Sequence, residues 1–275
     1  MASHRERQLC GPARVRLPTD ADLAAYAERI GVDPDVARRD YVLLRIAEAM
    51  YRDPEQHKVY VAKGAFVLHF VFGSYRTSKD IDGIVGTRHD AVDPVRLRQL
   101  ILRGIGDDFE IHLPRRGAKD PREESITFAP ITFAGGGLGS GSVEIELSLR
   151  EALVYPAINA RVFVPEFDLL FNVTHIDLDE QAAEKMRCLA QRSKVPDAYD
   201  VWWLWDRRGQ LDRDRIRYAT TKKLTSTADH RELATQRLNA RERAWDSSLD
   251  ILPRDLPAKE DVFRDCQLAL AEWMP

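Results

Sequence analysis

Apolar positions along the chain switch between helical and strand spacing. Leu23, Ala24, Tyr26 and Ala27 follow Thr19-Asp20 and stop at Gly31, which predicts a helix. Asp33-Pro34 opens a second, since Asp caps and Pro suits the first turn. Its stripe is Val36, Val42, Leu43, Ile46, Ala47 and Met50. From His57 to Ala62 the alternation at Val59 and Val61 is that of a short strand. Lys63-Gly64 then turns into the apolar run Ala65 to Phe72, closed by Gly73-Ser74. A strand over Asp80 to Ile84 follows, then a helix over Val95 to Leu102 behind Asp93-Pro94, ending near Gly104 and Gly106. Three β-like runs come next: Phe109 to Leu113, Ile126 to Phe133 and Val143 to Leu149.

Beyond these runs, Arg161 to Val164 has strand character and Phe167 to Phe171 is an apolar patch. The rest reads as helices: Glu180 to Arg192 capped by Asp179, one opened by Pro196, then Asp212 to Leu224, Asp229 to Trp245 and Ala258 to Trp273. Residues 1 to 18 read as a loose arm. The pattern predicts an α+β lobe over residues 1–170, with its N-terminal helices, and a helical lobe over residues 171–275.

The chain has 275 residues, enough for one large domain or two small ones. No apolar run approaches the roughly 18 residues that span a bilayer, and the N-terminus lacks the apolar core of a secretory signal. Cys10, Cys188 and Cys266 are far apart and odd in number, which suits a reducing cytoplasm rather than a disulfide framework. The net charge of −3 does not announce a nucleic-acid binder. Between Arg207 and Arg243, however, there are eleven Lys or Arg against five Asp or Glu. Such a segment can meet phosphates, or can be a solvated helical face.

Candidate chemistry centres on Asp80 and Asp82. Two apart in a strand, both carboxylates project from one face, with Ile81 on the other. Acidic pairs of this kind are common in turns and on surfaces. Held side by side, they suit a hard divalent cation that can clamp phosphate oxygens. In Val143 to Leu149, Glu144 and Glu146 alternate with apolar residues. If that strand lies beside the first, one of them could complete a three-carboxylate site. On an edge strand, both would simply face solvent. The glycine-rich stretch Gly135 to Ser142 leads into a strand, not a helix, so it is read as a hairpin connection and not a phosphate loop. Further on, Lys185 lies fifteen residues before Asp200, and Asp197 and Asp200 share a helix face at i and i+3. A lysine there suits a pyrophosphate leaving group, or makes a surface salt bridge worth a few tenths of a kcal/mol.

Taken together, these segments resemble the AbiEii/AbiGii nucleotidyltransferase toxins of bacterial toxin–antitoxin systems, mycobacterial members included. The family pattern runs Lys-Gly-Gly with a small hydroxyl residue, then RxSxDxD, a later acidic residue, AEKxxAxxxR and RDxxD. Here stand Lys63-Gly64-Ala65-Phe66, then Arg76, Ser78, Asp80 and Asp82, then Glu146, then Ala183-Glu184-Lys185 with Arg192, then Pro196-Asp197 and Asp200. Order and spacing agree over about residues 40 to 205. The departures are Ala65 and Phe66 in the turn, Pro196 for an Arg, and Glu146 where Asp is commoner.

The resemblance implies a DNA-polymerase-β-like nucleotidyltransferase lobe joined to a helical C-terminal lobe. It implies a toxin that transfers a nucleotide monophosphate, with CTP or UTP favoured, to the 3′ end of tRNA and so blocks aminoacylation. It also implies magnesium held by Asp80, Asp82 and Glu146, and an NTP met by Lys63, Gly64, Arg76, Ser78, Lys185 and Asp197. Asp200 orients Lys185 or the base and ribose, Arg76 meets phosphate or pairs with an acid of the fold, a cognate antitoxin silences the enzyme, and Ser78 is the expected phosphorylation site. Two other readings stand beside it: a module that binds nucleotide without turnover, and an enzyme that modifies protein hydroxyls.

Overall fold

The computed structural model describes residues 16–275 apart from 53–58, 86–93, 106–109, 113–117, 121–124, 136–137, 150, 225–228, 248–251 and 253–255. Most of the expected arm, the start of the 57–62 strand, both ends of the 109–113 run and the centre of the glycine-rich connection lie outside the described residues.

Helix α1 (Asp20–Ile30) starts where the sequence places it. The Thr19 hydroxyl accepts from the Asp22 amide, the Asp22 carboxylate accepts from the Thr19 amide, and Gly31 closes the helix at φ 76°. Next come α2 (Pro34–Arg52), β1 (Tyr60–Lys63), α3 (Gly64–Phe70), β2 (Asp80–Val85) and α4 (Pro94–Ile105). The strands β3 (Glu110–His112), β4 (Ala118–Asp120), β5 (Ser125–Ala134), β6 (Ser140–Ser148), β7 (Ile158–Val164) and β8 (Leu169–His175) complete one sheet. The helices α5 (Leu178–Gln191), α6 (Pro196–Asp206), α7 (Arg213–Lys223), α8 (His230–Ala244) and α9 (Lys259–Trp273) follow.

The strand order is β3-β5-β6-β2-β1-β8-β7, with β4 beside β5. β6 is therefore an interior strand, parallel to β2, and its register sets Glu144 opposite Asp80 and Glu146 opposite Asp82. β1 runs antiparallel to β2 with Lys63 opposite Asp82. The pleat then puts Asp80, Asp82, Glu144 and Glu146 on one face, while Ile81, Ile145 and Leu147 are buried on the other.

Two differences from the sequence expectation have simple causes. β8 is a full strand, with Leu169, Phe171 and Val173 buried and Leu170 and Asn172 exposed. Its period of two was hidden because Leu170 is apolar yet faces out, making the run look like an undivided patch. At the start of α5 the cap is Asp177, whose carboxylate accepts from the Glu180 amide. Asp179, expected to cap, sits inside the first turn and pairs with Arg215 at 2.6 Å.

Two large apolar clusters, and a small third of Val61, Ile84 and Ile176, form the interior among the described residues. One joins α1, α2 and part of α3 to the sheet; the other is built from α5 to α9. The short helix α3 divides between them, with Phe66 and Val67 in the first and Leu68 in the second. The polar residues of interest lie along the seam.

Candidate functional site

The Lys63-Gly64 turn shapes the site by what it lacks. Gly64 has φ +74°, and a Cβ there would lie 2.7 Å from Asp82 Oδ2. Its amide donates to Gln181 Oε1 of α5 at 3.1 Å. Lys63, opposite Asp82 in the antiparallel pair, pairs with Glu151, with Glu184 at 3.7 Å. Burial works against its charge, but Glu184 and Glu151 outweigh it and raise its pKa. Arg187 and Lys223 close the same network, reaching Glu184 at 2.7 Å and 2.6 Å. Lys63 and Gly64 thus stand beside the carboxylates, each held by protein partners.

Asp82 feels the crowding. Burial, the charge of Asp80 and that of Glu146 push its carboxyl up to about 7, against the pull of Lys63 and Lys185. The Ser78 hydroxyl donates to Asp80 Oδ1 at 2.7 Å, and Ser78 is 1% exposed. Arg39 of α2 clamps this loop, donating to the Ser78 carbonyl and the Thr77 hydroxyl, each at 3.1 Å. Ser74 lies deeper, and its carbonyl meets His69 Nδ1 at 2.5 Å.

The cationic wall comes from the helices. Lys185 of α5 is buried and reaches Asp200 of α6 at 2.7 Å and Asp197 at 3.6 Å. Arg76 grips Asp200 with two hydrogen bonds, 2.6 Å and 2.8 Å. Arg192 grips Asp197 likewise, at 2.8 Å and 2.9 Å. Arg76, Lys185 and Arg192 therefore alternate with two carboxylates in a continuous row, leaving one excess positive charge. Burial opposes the charges of Asp197 and Asp200. The Arg192 hydrogen bonds and Lys185 hold Asp197 well below the usual carboxylate range, and Arg76 and Lys185 do so for Asp200. Lys185, opposed by burial but faced by both acids, is shifted up and stays protonated. This is a buried ion network, not the exposed helix pair that the spacing also allowed.

Asp82, Glu146, Lys185 and Arg192 line two adjoining cavities. One extends to Lys63, Ser125 and Glu151; the other extends to Asp80, Lys79, Lys194 and Asp197. Among the described residues no three His, Cys, Asp or Glu side chains converge closely enough to hold an ion. Asp80, Asp82 and Glu146 share a face in register without closing on one another, as like charges do. The donor set is all carboxylate oxygen, and burial with the charges of Asp80 and Glu146 raises the Asp82 pKa, a cost that a divalent cation would offset. The residues fit a hard divalent ion.

Comparison with known proteins places this geometry. The profile of the family described as "Nucleotidyl transferase AbiEii toxin, Type IV TA system" matches residues 48–268. The chain belongs to the AbiEii nucleotidyltransferase toxin family. No curated protein matches it. Its fold is similar to that of MenT4, a nucleotidyltransferase toxin of Mycobacterium tuberculosis H37Rv. The two share 17% identity with TM-score 0.51, over 94% of this chain and 99% of that one. It is also similar to two Helicobacter pylori proteins. One has 14% identity and TM-score 0.54, covering 87% of this chain and 95% of that one. The other is JHP933, with 14% identity and TM-score 0.50, covering 86% and 90%.

In this AbiEii chain the basic stretch 207–243 is largely committed to the fold. Arg241 is fully buried and donates to the carbonyls of Cys188, Leu189, Arg192 and Lys194, closing the C-terminal end of α5. Arg215 pairs with Asp177 and Asp179, and Lys223 with Glu180 and Glu184. Arg217 and Arg231 donate to carbonyls near the end of α9. Buried acids and helix ends thus hold Arg215, Arg217, Lys223, Arg231 and Arg241, in a stretch that the sequence left open between meeting phosphates and a solvated helical face. Glu151, Arg187, Arg39 and Arg241 were not singled out from sequence. The partners of Glu151, Arg39 and Arg241 lie far along the chain, and no local spacing marks them; Arg187 pairs with Glu184 three residues back on the same helix.

Proposed function

We propose that this toxin transfers a nucleotide monophosphate, from CTP or UTP, to the 3′-hydroxyl of tRNA in the cytoplasm. The observation that carries this reading is the facing of two charge sets across one cavity. Three register-aligned carboxylates stand on the sheet, and the Arg76–Asp200–Lys185–Asp197–Arg192 row is built from α5, α6 and the loop before β2. Asp80, Asp82 and Glu146 would hold magnesium, which supplies charge to the phosphate oxygens at both ends of the displacement.

Lys185, kept protonated by Asp200 and Asp197, neutralises the β- and γ-phosphates. Arg76 fixes Asp200 and so the height of Lys185, and Arg192 extends the positive wall. Ser78 orients Asp80 through its hydroxyl. Gly64 leaves room for Asp82, and Lys63 tempers the negative charge beside it. Glu146, exposed on β6, takes the acceptor's hydroxyl proton. The acceptor oxygen bonds the α-phosphorus, the bond to the β-phosphate oxygen breaks, and pyrophosphate leaves against Lys185.

A phosphate on Ser78 would occupy this space and repel the triphosphate. Because Ser78 is buried, its loop must open to a kinase, and a cognate antitoxin acts there or by covering the cavity. No described helix is long and apolar enough to cross a membrane.

The test is incubation of the pure protein with each labelled NTP, magnesium and total tRNA, read on a gel. A labelled tRNA band with CTP or UTP, lost in Asp80→Ala, is expected. Label on protein alone, or no label with any NTP, would overturn the reading.

A further inference from the structure

The cavity beside Lys185 continues past Glu151, Glu184 and Arg187 into an open groove against α7, lined also by Ala152, Val154, Gln191 and Lys222. Its acids are already held: Glu184 by Lys223 and Arg187, Glu151 by Lys63. Lys222 is exposed and enters no ion pair among the described residues. Its ammonium lies 5.3 Å from the centre of the Tyr218 ring, one turn back on the same helix face. Tyr218 is 54% exposed. A lysine that lines a groove leading to a phosphoryl-transfer cavity, with an exposed aromatic face 5.3 Å from its ammonium, matches what the end of a single strand needs. Every base has a face to stack, and every link has a phosphate to neutralise. Ala152 and Val154 offer an apolar wall to the next ring.

We propose that this groove seats the single-stranded 3′ end of the RNA acceptor, with Tyr218 stacking a base and Lys222 meeting the backbone phosphate. The proposal rests on the reading that the acceptor is an RNA end. It fixes the side from which the acceptor enters: past α7, opposite the Lys79 and Lys194 side of the carboxylates. The rim is too strongly charged to suit an apolar protein segment.

The test is steady-state transfer with acceptor varied at saturating NTP, then NTP varied at saturating acceptor. The variants are Tyr218→Ala, Tyr218→Phe and Lys222→Ala. Phe163→Ala serves as control, because Phe163 is 63% exposed on β7 at the far edge of the sheet. Tyr218→Ala should raise the acceptor KM about ten-fold, the loss of one stacked base, and Tyr218→Phe should restore it. Lys222→Ala should raise it too and lower the salt slope by about 0.7. The KM for NTP should stay at its wild-type value in all of them.

An unchanged acceptor KM in both alanine variants, or a rise in the NTP KM instead, overturns the proposal. Should the wild type label no RNA, the transfer reading has failed, and the groove is tested by binding alone. Fluorescence anisotropy of a single-stranded RNA oligonucleotide must then show weaker binding by Tyr218→Ala than by wild type. Equal binding overturns it.

Discussion

Gly64→Ala separates the cost of a backbone conformation from the cost of moving a carboxylate. At φ +74° an alanine pays the left-handed penalty of about 1–2 kcal/mol. Its Cβ would also stand 2.7 Å from Asp82 Oδ2, about 0.7 Å inside the 3.4 Å of ordinary contact. Asp82 is the element that yields, because β1 and β2 are paired on both sides. A misplacement near 1 Å costs on the order of a hundred-fold in rate, so transfer should fall by one to two orders of magnitude. The thermal midpoint should drop only a few degrees, at about 2–4 °C per kcal/mol for a chain of this size. Gly73→Ala is the matched control. Its φ is +77° with nothing within 4 Å of the added carbon, so it should share the stability loss and keep full transfer. Measured side by side, equal kcat in Gly64→Ala and Gly73→Ala would refute the argument that the Lys63-Gly64 turn exists to admit Asp82.

Three further outcomes are expected. An acid raised from 3.8 to about 7 keeps its proton longer folded than unfolded. Stability without divalent ions should therefore fall as pH climbs from about 4 to about 7, by a ceiling of ~4 kcal/mol that screening in the open cavity cuts to about 2. Urea midpoints against pH for Asp82→Asn should lose that slope; an unchanged slope sinks the assignment. Lys185→Ala should lower transfer by about 10²–10³ while Asp200 keeps Arg76, whereas Asp200→Asn strands the buried Arg76, leaves Lys185 only Asp197, and should cost about 3–5 kcal/mol in denaturant. A mild activity loss for Lys185→Ala would speak for a structural pair. Ser78→Asp should abolish transfer in a folded protein, and Ser78→Ala should lower it only about five-fold, the loss of one hydrogen bond of ~1 kcal/mol on Asp80. Full activity of the aspartate form removes Ser78 from the site.

What could be read from sequence was what repeats locally. Asp80 and Asp82 at spacing two fix their shared face whatever the partner strand; the same rule paired Glu144 with Glu146, and only the family resemblance chose Glu146. Helix starts at Thr19, Pro34 and Pro196 carried their own caps or ring constraint. Pairing was not legible. Nothing in VEIELS says that β6 lies inside the sheet with Glu146 opposite Asp82, and nothing near Arg76 names Asp200 as its partner. Long-range ion pairs have no sequence period, so Arg241 read as one more surface cation although it is fully buried. β8 failed for a smaller reason, one apolar side chain on the wet face.

The Arg241 bonds to the end of α5 bear on when the toxin can act during its own synthesis. The sheet and its carboxylates precede residue 176, and a chain emerging from the ribosome folds such N-terminal units first. Lys185 and Asp200 come later, and the end of α5 lacks the Arg241 guanidinium until α8 has been made. The sheet carboxylates are thus made before the cationic row, and that row before the arginine that braces it. An antitoxin made at the same moment has that interval in which to find its target before the first nucleotide is transferred.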